Sequence, residues 1–277
     1  MTLTVGSLFA GIGGFDLGLE RAGMEIKWSV ENDKFCNKVR RRHWPDVPQY
    51  GDITALDPAD LDPVDIVVGG WPCQGHSIAG NRQGLGDDRS GLFWEIPRLL
   101  KVLAPQWILL ENVPGALTSG RNKGDDFAAI LRSLDGCGYG LSWRVLDARH
   151  FPGIAQRRER LYIVGRYNRP CPPEILFDAG SMERHPAPRP DLSPVASTIG
   201  TSLGHHGYTN APDGAGVFVY EDEENYRYGS GEADGIPSGL DFDDGREPDG
   251  PRYRALGNAV TVPVITWIGR RIEEVTP

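Results

Sequence analysis

The stretch LTVGSLFAGIGGFDLGLERAG, residues 3–23, decides the fold. Its first seven residues are short, apolar and β-branched, which predicts a strand over 3–9. Glycines follow at once, and the apolar residues after them predict a helix that ends at Gly23. A strand, a tight glycine turn and a helix start together form a place where the backbone approaches a ligand closely.

The spacing of these glycines narrows the ligand class. Gly11, Gly13 and Gly14 are followed by Gly18, so the dinucleotide pattern G-x-G-x-x-G is absent. This spacing disfavours NAD and favours another nucleoside cofactor, while an ordinary tight turn is the alternative. Glu31 ends the next predicted strand, where a carboxylate can hold ribose hydroxyls.

Strand and helix patterns alternate from residue 3 to residue 166. The segments 64–70 and 107–113 are apolar without alternation, as expected for strands of a parallel sheet covered on both faces. The alternation predicts an α/β protein with a Rossmann-like, doubly wound and mostly parallel sheet. Further strands are predicted over 25–31, 141–148 and 160–167, and helices over 90–103 and 125–138.

A change of composition marks a second region. Residues 168–253 carry 16 acidic side chains and 6 arginines, a net charge of −10, although the whole chain has a net charge of only −9. The same segment holds 12 glycines and 11 prolines, a share at which regular packing becomes doubtful. We therefore expect a small, irregular, β-containing acidic domain over 168–252. A catalytic domain over 1–167 and 253–277 then ends in a helix from Val260 to Ile272.

Composition also excludes several classes of protein. Hydrophobic residues make up 39% of the chain, enough for a core, and no apolar run reaches the ~18–20 residues of a membrane span. The N-terminus lacks the features of a signal peptide, so we expect a cytoplasmic protein without a membrane partner. The four cysteines lie far apart with no CxxC pair, which argues against structural zinc or a disulfide framework, and no metal is expected.

Cys73 lies in the loop GGWPCQGHSIAG, residues 69–80, just after a predicted buried strand. A thiol becomes a good nucleophile when its pKa falls below the usual value of about 8.5, and a strand end near a helix start can lower it. The position in a Pro/Gln/Gly loop indicates a reactive thiol. A buried, inert cysteine is the alternative.

Carboxylates follow the ends of other predicted strands. Glu111 ends the very hydrophobic strand WILL, where partial desolvation raises a carboxyl pKa. Asp52 follows a short extended stretch, in range of an adenine edge, although a turn or helix-capping aspartate is the alternative. Since ligands bind at the carboxyl ends of strands in open α/β sheets, we expect these groups and Cys73 to share one rim.

Two later motifs add polar side chains. In QRRERLYIVG, residues 156–165, Arg158 and Arg160 are two apart and point to the same face of a strand. They can aim together at a phosphate or a base carbonyl, and a solvated edge is the alternative. In ALGNAV, residues 255–260, Asn258 is predicted to bridge loops at a helix start or to be an ordinary cap. The basic run VRRRH, residues 39–43, predicts a solvated helix face.

The motifs LFAGIGGF, PCQ, ENV, QRRER and ALGNAV occur in this order over residues 1–166 and 252–277. Together they resemble the bacterial and phage cytosine-C5 DNA methyltransferases. The resemblance implies that Cys73 attacks carbon 6 of a flipped cytosine and that Glu111 hydrogen-bonds N3 and the amino group. It also implies that Arg158 binds the base carbonyl and that Arg160 buttresses the site.

The resemblance further implies a methyltransferase fold that binds S-adenosylmethionine, which donates a methyl group to carbon 5. Its partners are expected to be double-stranded DNA and a cognate restriction endonuclease, and the protein is expected to be a monomer. Residues 76–91 would form a mobile loop that closes over DNA. The implied cofactor contacts are Phe9, Gly11, Ile12, Gly13, Glu31, Asn32, Asp52, Ile53, Pro72, Leu92, Asn258 and Val260.

The chain departs from the family pattern at two places. Gly75 and His76 stand where the family usually has Pro-Phe, and the Arg- and Leu-rich motif usually found before Arg252 is absent. Two alternatives therefore accompany the main interpretation: a weakly active or inactive relic that binds cofactor or DNA, and an RNA cytosine methyltransferase. A nicotinamide dehydrogenase is disfavoured because no His or Tyr acid/base accompanies the glycine turn.

Overall fold

The computed structural model describes residues 2–72, 90–151, 154, 156–177 and 249–277. Within these ranges seven strands form one sheet in the order β3-β2-β1-β4-β5-β7-β6. Their bounds are β1 Thr4–Leu8, β2 Glu25–Val30, β3 Gln49–Tyr50, β4 Ile66–Gly70, β5 Trp107–Asn112, β6 Tyr139–Asp147 and β7 Glu159–Tyr167.

The sheet is mostly parallel, as predicted. Strands β1 to β5 pair in parallel, whereas β7 runs antiparallel between β5 and β6. The parallel register places Gly70, the last residue of β4, opposite Glu111 of β5. The predicted doubly wound α/β fold is confirmed, and the carboxyl ends of β1, β2, β4 and β5 meet at one edge.

Helices cover both faces of the sheet, which explains why its central strands are apolar on both sides. One face packs against α1 and α6, and the other against α3 and α4. No helix in the described ranges is long and apolar enough to cross a bilayer. The described helices are α1 Gly14–Glu20, α2 Lys34–His43, α3 Glu95–Leu103, α4 Asp125–Asp135, α5 Asp249–Asn258 and α6 Val262–Val275.

Side-chain alternation along β5 sets the position of the candidate site. Trp107 and Leu109 belong to the core on the α1/α6 side, while Ile108 and Leu110 belong to the core on the α3/α4 side. By the same period of two, Glu111 points to the α1/α6 side at the end of its strand.

A buried ion pair joins the first two helices behind the glycine turn. Arg40 of α2 donates to both carboxylate oxygens of Asp16 in α1, at 2.8 and 3.2 Å, and both side chains are fully buried. Ser7 of β1 donates to Asp16, and Arg40 donates to Ser29 of β2. The prediction of a solvated face over 39–43 is therefore wrong for Arg40. The run of basic residues gives no sign of the acidic partner, because Asp16 belongs to another helix.

The C-terminal region contains two helices where one was predicted. Helix α5 ends at Asn258, and α6 begins at Val262, with Pro263 in its first turn. Proline is well tolerated there because its missing N–H would have no intrahelical partner. Most of the predicted acidic domain, residues 178–248, lies outside the described residues, so the domain division stays a prediction.

Candidate active site

The glycine turn after β1 has an unusual backbone. Phe9, Gly11 and Gly13 all have positive φ angles, of 50°, 54° and 96°. A bulky residue such as Phe9 rarely adopts this region, and such strain collects at functional sites. A Cβ added to Gly11 would meet no atom within 4 Å, whereas one added to Gly13 would overlap Trp44. The turn therefore packs on α2 at Gly13 and faces open space at Gly11.

Glu31, just beyond the end of β2, contacts the same glycine turn. Its Oε2 accepts from the Gly11 amide at 2.7 Å and its Oε1 from the Asp33 amide at 2.8 Å. A carboxylate has about four lone-pair sites, so both oxygens keep capacity for further donors. The predicted ribose-binding carboxylate thus lies directly beside the glycine turn.

Asp52 lies in the neighbouring turn, after β3. Its Oδ1 accepts from the amide and the hydroxyl of Thr54, at 2.9 and 2.8 Å, and thereby caps the 3-10 turn Ile53–Ala55. These hydrogen bonds lower the pKa of the exposed Asp52 carboxyl. Asp52 therefore caps this turn through Oδ1, which was the alternative interpretation.

The other residues implied to contact the cofactor divide into three groups. Phe9 and Leu92 are partly buried against the core on the α3/α4 side, which includes buried Ile53, and Pro72 is half-buried. Ile12 and Val260 are core residues, and Val260 packs on Gly14. Asn32 and Asn258 are exposed.

The structure differs from the prediction at Asn258. This residue ends α5 instead of beginning a helix, and its side chain is exposed. The adjoining backbone takes the bridging position: the carbonyls of Gly257 and Ala259 accept from Arg158 at 3.0 and 2.7 Å. The sequence motif drew attention to the Asn258 side chain, but main-chain oxygens on either side of it make the contact with Arg158.

The buried carboxyl of Glu111 is the chemical centre of the other half of the site. Its Oε1 accepts from Nε of Arg160 at 3.0 Å, and the two side chains are only 11% and 16% exposed. Burial raises the Glu111 pKa above its ordinary value, although the positive charges of Arg160 and Arg158 oppose the rise. The predicted desolvated carboxyl is therefore present, with a cation on one oxygen.

Gly70 makes room for the second oxygen of Glu111. A Cβ at Gly70 would lie 2.8 Å from Oε2, closer than real Cβ contacts come. The glycine that ends β4 therefore lets the carboxyl occupy the edge between β4 and β5.

Of the two predicted arginines, Arg160 lies in β7 and Arg158 directly precedes this strand, and the positive charges of both lower the pKa of Glu111. Arg160 contacts Glu111, while Arg158 is 2% exposed and donates to the 257 and 259 carbonyls. Arg157 and Glu159 form an exposed ion pair at 3.4 Å and point away. Arg160 therefore contacts the carboxyl directly, whereas Arg158 donates to the backbone of the C-terminal region.

Several residues that the sequence analysis passed over also hold this site. Asp147 is 1% exposed and accepts from the backbone amide of Arg158 at 3.2 Å, which fixes the entry to β7. Asn112 donates to the Trp71 carbonyl at 3.2 Å and so anchors the chain just beyond β4. The available signal for Asn112 was its place in the ENV motif. No sequence pattern indicated Asp147, because the Arg158 amide that it holds lies eleven positions away.

Cys73 and the predicted DNA-closing loop, residues 76–91, lie almost entirely outside the described residues. Trp71 and Pro72, the last two described residues before Cys73, follow directly from Gly70 at the edge that holds Glu111. The distance between the thiol and the carboxyl therefore stays a prediction.

Comparison with known proteins agrees with this arrangement. A sequence profile for C-5 cytosine-specific DNA methylase matches residues 3–196. The chain belongs to this family. Among curated members, it is 39% identical over 168 residues to Type II methyltransferase M.Bsp6I of Bacillus sp. (strain RFL6), covering 60% of this chain and 53% of that protein. It is 36% identical over 182 residues to M.NgoBV of Neisseria gonorrhoeae, covering 62% and 42%. The chain spans about half the length of these relatives.

Solved structures show the same fold at lower identity. The S. pombe Dnmt2 methyltransferase superposes with a TM-score of 0.71 at 21% identity, over 99% of this chain and 100% of that one. The Entamoeba histolytica methyltransferase EhMeth superposes with a TM-score of 0.70 at 17% identity, over 100% of both chains. At these identities the likeness supports the fold of the family.

Proposed function

We propose that this protein is a DNA (cytosine-5)-methyltransferase that uses S-adenosylmethionine. The observation that carries the proposal is the buried Glu111 carboxyl, held on Oε1 by Arg160. It lies opposite Gly70, the strand end from which the chain continues to Pro72 and Cys73. Membership of the C-5 cytosine-specific family supplies the reaction class.

The residues around the glycine turn fit the nucleoside part of the cofactor. Gly11 leaves open space and Glu31 keeps acceptor capacity for ribose hydroxyls, while Asp52 caps the turn that follows β3. Phe9, Leu92 and Ile53 offer apolar surface for the adenine. When bound, S-adenosylmethionine supplies an electrophilic methyl group.

Glu111 is suited to hold a proton at N3 of cytosine. Because burial raises its pKa, this carboxyl keeps its proton to a higher pH than an exposed glutamate does, so the proton is available to share with a ring nitrogen. Protonation at N3 withdraws electrons from the ring and favours addition at carbon 6. Arg160 stabilises the carboxylate that remains. We propose that it also takes the contact with the base carbonyl that the family resemblance implied for Arg158, because Arg158 is buried and donates to the 257 and 259 carbonyls.

In the proposed chemistry, the Cys73 thiolate adds to carbon 6 and carbon 5 becomes the nucleophile. After carbon 5 has taken the methyl group, whose bond to the cofactor sulfur breaks, carbon 5 loses its proton to a base. N3 returns its proton to the Glu111 carboxylate, and the thiolate leaves carbon 6. Loss of the carbon-5 proton and of the thiolate restores the ring double bond. A cytosine must leave the base stack for this contact, so we propose a flipped base in double-stranded DNA as the substrate.

The biological setting is part of the same proposal. The curated relatives carry the name Type II methyltransferase, which supports a restriction-modification role with a partner endonuclease. We propose a monomer that acts in the cytoplasm.

Transfer of tritium from labelled S-adenosylmethionine to mixed-sequence duplex DNA tests the proposal. Wild-type protein should deposit 5-methylcytosine, and Cys73→Ala should abolish it, while Cys36→Ala, which alters a buried thiol in α2, should retain it. Bisulfite sequencing of the product identifies the target. Incorporation only into RNA, or cofactor binding without any transfer, would replace this proposal by one of the two alternatives.

A further inference from the structure

Arg98 of α3 lies outside the five motifs quoted above and forms a bridge between two parts of the chain. Its Nη2 donates to the Ile53 carbonyl at 2.7 Å and its Nη1 to the Leu56 carbonyl at 2.9 Å. Its Nε donates to Glu95, one turn earlier on the same helix, at 2.6 Å. One guanidinium therefore joins α3 to the turn that follows β3.

The turn held in this way is the adenine side of the proposed cofactor pocket. Asp52 caps it from within through Thr54, and Ile53 belongs to the same hydrophobic core against which Leu92 packs. Leu92 belongs to the 3-10 turn Ser90–Trp94, which runs directly into α3. The two walls of the pocket thus come from distant parts of the chain, and Arg98 links them.

We infer that Arg98 is a positioning residue for S-adenosylmethionine: it sets the separation between the Ile53 wall and the Leu92 wall. The inference rests on the proposed function. An arginine suits this task because its planar fork reaches two carbonyls and a carboxylate together, which a lysine ammonium cannot do in the same geometry.

The test is the affinity for S-adenosylhomocysteine, measured by titration calorimetry, beside steady-state kinetics with duplex DNA. Arg98→Ala should weaken binding by about tenfold or more, because two hydrogen bonds from a charged group are lost. The KM for S-adenosylmethionine should rise in proportion, while kcat and the KM for DNA stay near their wild-type values. Arg98→Lys should recover part of the affinity.

Lys101→Ala is the matched control, since Lys101 is an exposed cation on the same helix and should leave every parameter unchanged. A lowered melting temperature with unchanged affinity in Arg98→Ala would show that Arg98 only stabilises the fold. Arg98→Lys decides the same question if the alanine variant does not fold: wild-type affinity in it overturns the inference. If wild-type protein fails to bind S-adenosylhomocysteine, the cofactor proposal fails together with the inference.

Discussion

Two carboxylate–arginine pairs lie on the same side of the sheet, and they differ in how completely the carboxylate is enclosed. Asp16 accepts from two nitrogens of Arg40 and from Ser7, and neither partner of the pair is exposed. Glu111 has one contact with Arg160, through Oε1, and its Oε2 lies at the strand edge beside Gly70. Both oxygens of Asp16 accept from protein donors, whereas within the described residues Glu111 accepts only through Oε1, and we propose that its Oε2 meets the ligand.

This difference separates a pair that holds the fold from a pair that does chemistry. Removing one partner of the fully buried Asp16–Arg40 pair leaves an uncompensated charge, so the free energy of unfolding should fall. Neutralising the open carboxyl removes a costly buried charge, so activity should fall while stability is maintained or improved. Variants of each pair test whether stability and activity separate in this way.

Glu111→Gln should have the largest effect, lowering methyl transfer by on the order of 10²- to 10⁴-fold, the usual contribution of a positioned acid/base. The amide has nearly the same shape but no proton to give to N3. Initial rates on duplex DNA measure the loss, and circular dichroism checks that the variant is folded. A variant with more than a tenth of the wild-type rate would contradict the assigned role.

Asp16→Ala should lower the free energy of unfolding by about 3–5 kcal/mol, because Arg40 then remains buried and unpaired. Urea denaturation at neutral pH measures the change. Methyl transfer per folded molecule should stay close to that of the wild type.

The double variant Asp16→Leu/Arg40→Met is the control for this second prediction. Replacing both ions by apolar side chains of similar size should restore most of the lost stability. If the double variant is as unstable as the single one, the pair is not the cause of the loss.

Gly70→Ala should reduce kcat by about tenfold to 10²-fold, since its Cβ displaces Oε2 of Glu111 and small displacements of reacting groups are costly. Gly51→Ala is the matched control, because a Cβ there meets no atom within 4 Å. Equal rates in the two variants would show that the position of Oε2 does not matter.

The smallest effect concerns pH. The folded-state pKa of Glu111 lies above its ordinary value of 4.5, so the folded protein holds this proton more tightly than the unfolded chain. The ionised Glu111 carboxyl destabilises the folded protein only above pH 4.5, and this destabilisation grows until the pH exceeds the folded-state pKa. The stability of Glu111→Gln relative to the wild type should therefore rise with pH over this window, by about 1.4 kcal/mol for each pH unit between the two pKa values. Urea titrations between pH 5 and 8 measure it, and a constant difference would refute the raised pKa.

The sequence predicted those site residues whose position follows from the sheet. Glu31 and Glu111 each lie at or just beyond the end of an apolar strand, and parallel strands bring their ends to one edge. The alternation rule likewise predicted that Arg158 and Arg160 act at one place, and the charges of both lower the pKa of Glu111. These predictions needed local pattern and topology only.

Long-range contacts explain the features of the fold and the site that the sequence did not predict. Arg40 looked solvated because its partner Asp16 lies 24 positions away, and the antiparallel insertion of β7 beside β5 leaves no local signal. The same insertion decides which arginine meets Glu111. Asn258 was assigned to a helix start because the break between α5 and α6 depends on packing, not on the helical pattern of residues 252–275.

The most direct test uses DNA copied with 5-fluorocytosine in place of cytosine, together with S-adenosylmethionine. Fluorine at carbon 5 cannot leave as a proton does, so a productive enzyme stays covalently attached through sulfur. Wild-type protein and Asp16→Leu/Arg40→Met should be trapped on Cys73, as mass spectrometry of the peptide shows. Glu111→Gln should be trapped at least about 10²-fold more slowly. Trapping of Glu111→Gln at the wild-type rate, or attachment at another residue, would contradict the account.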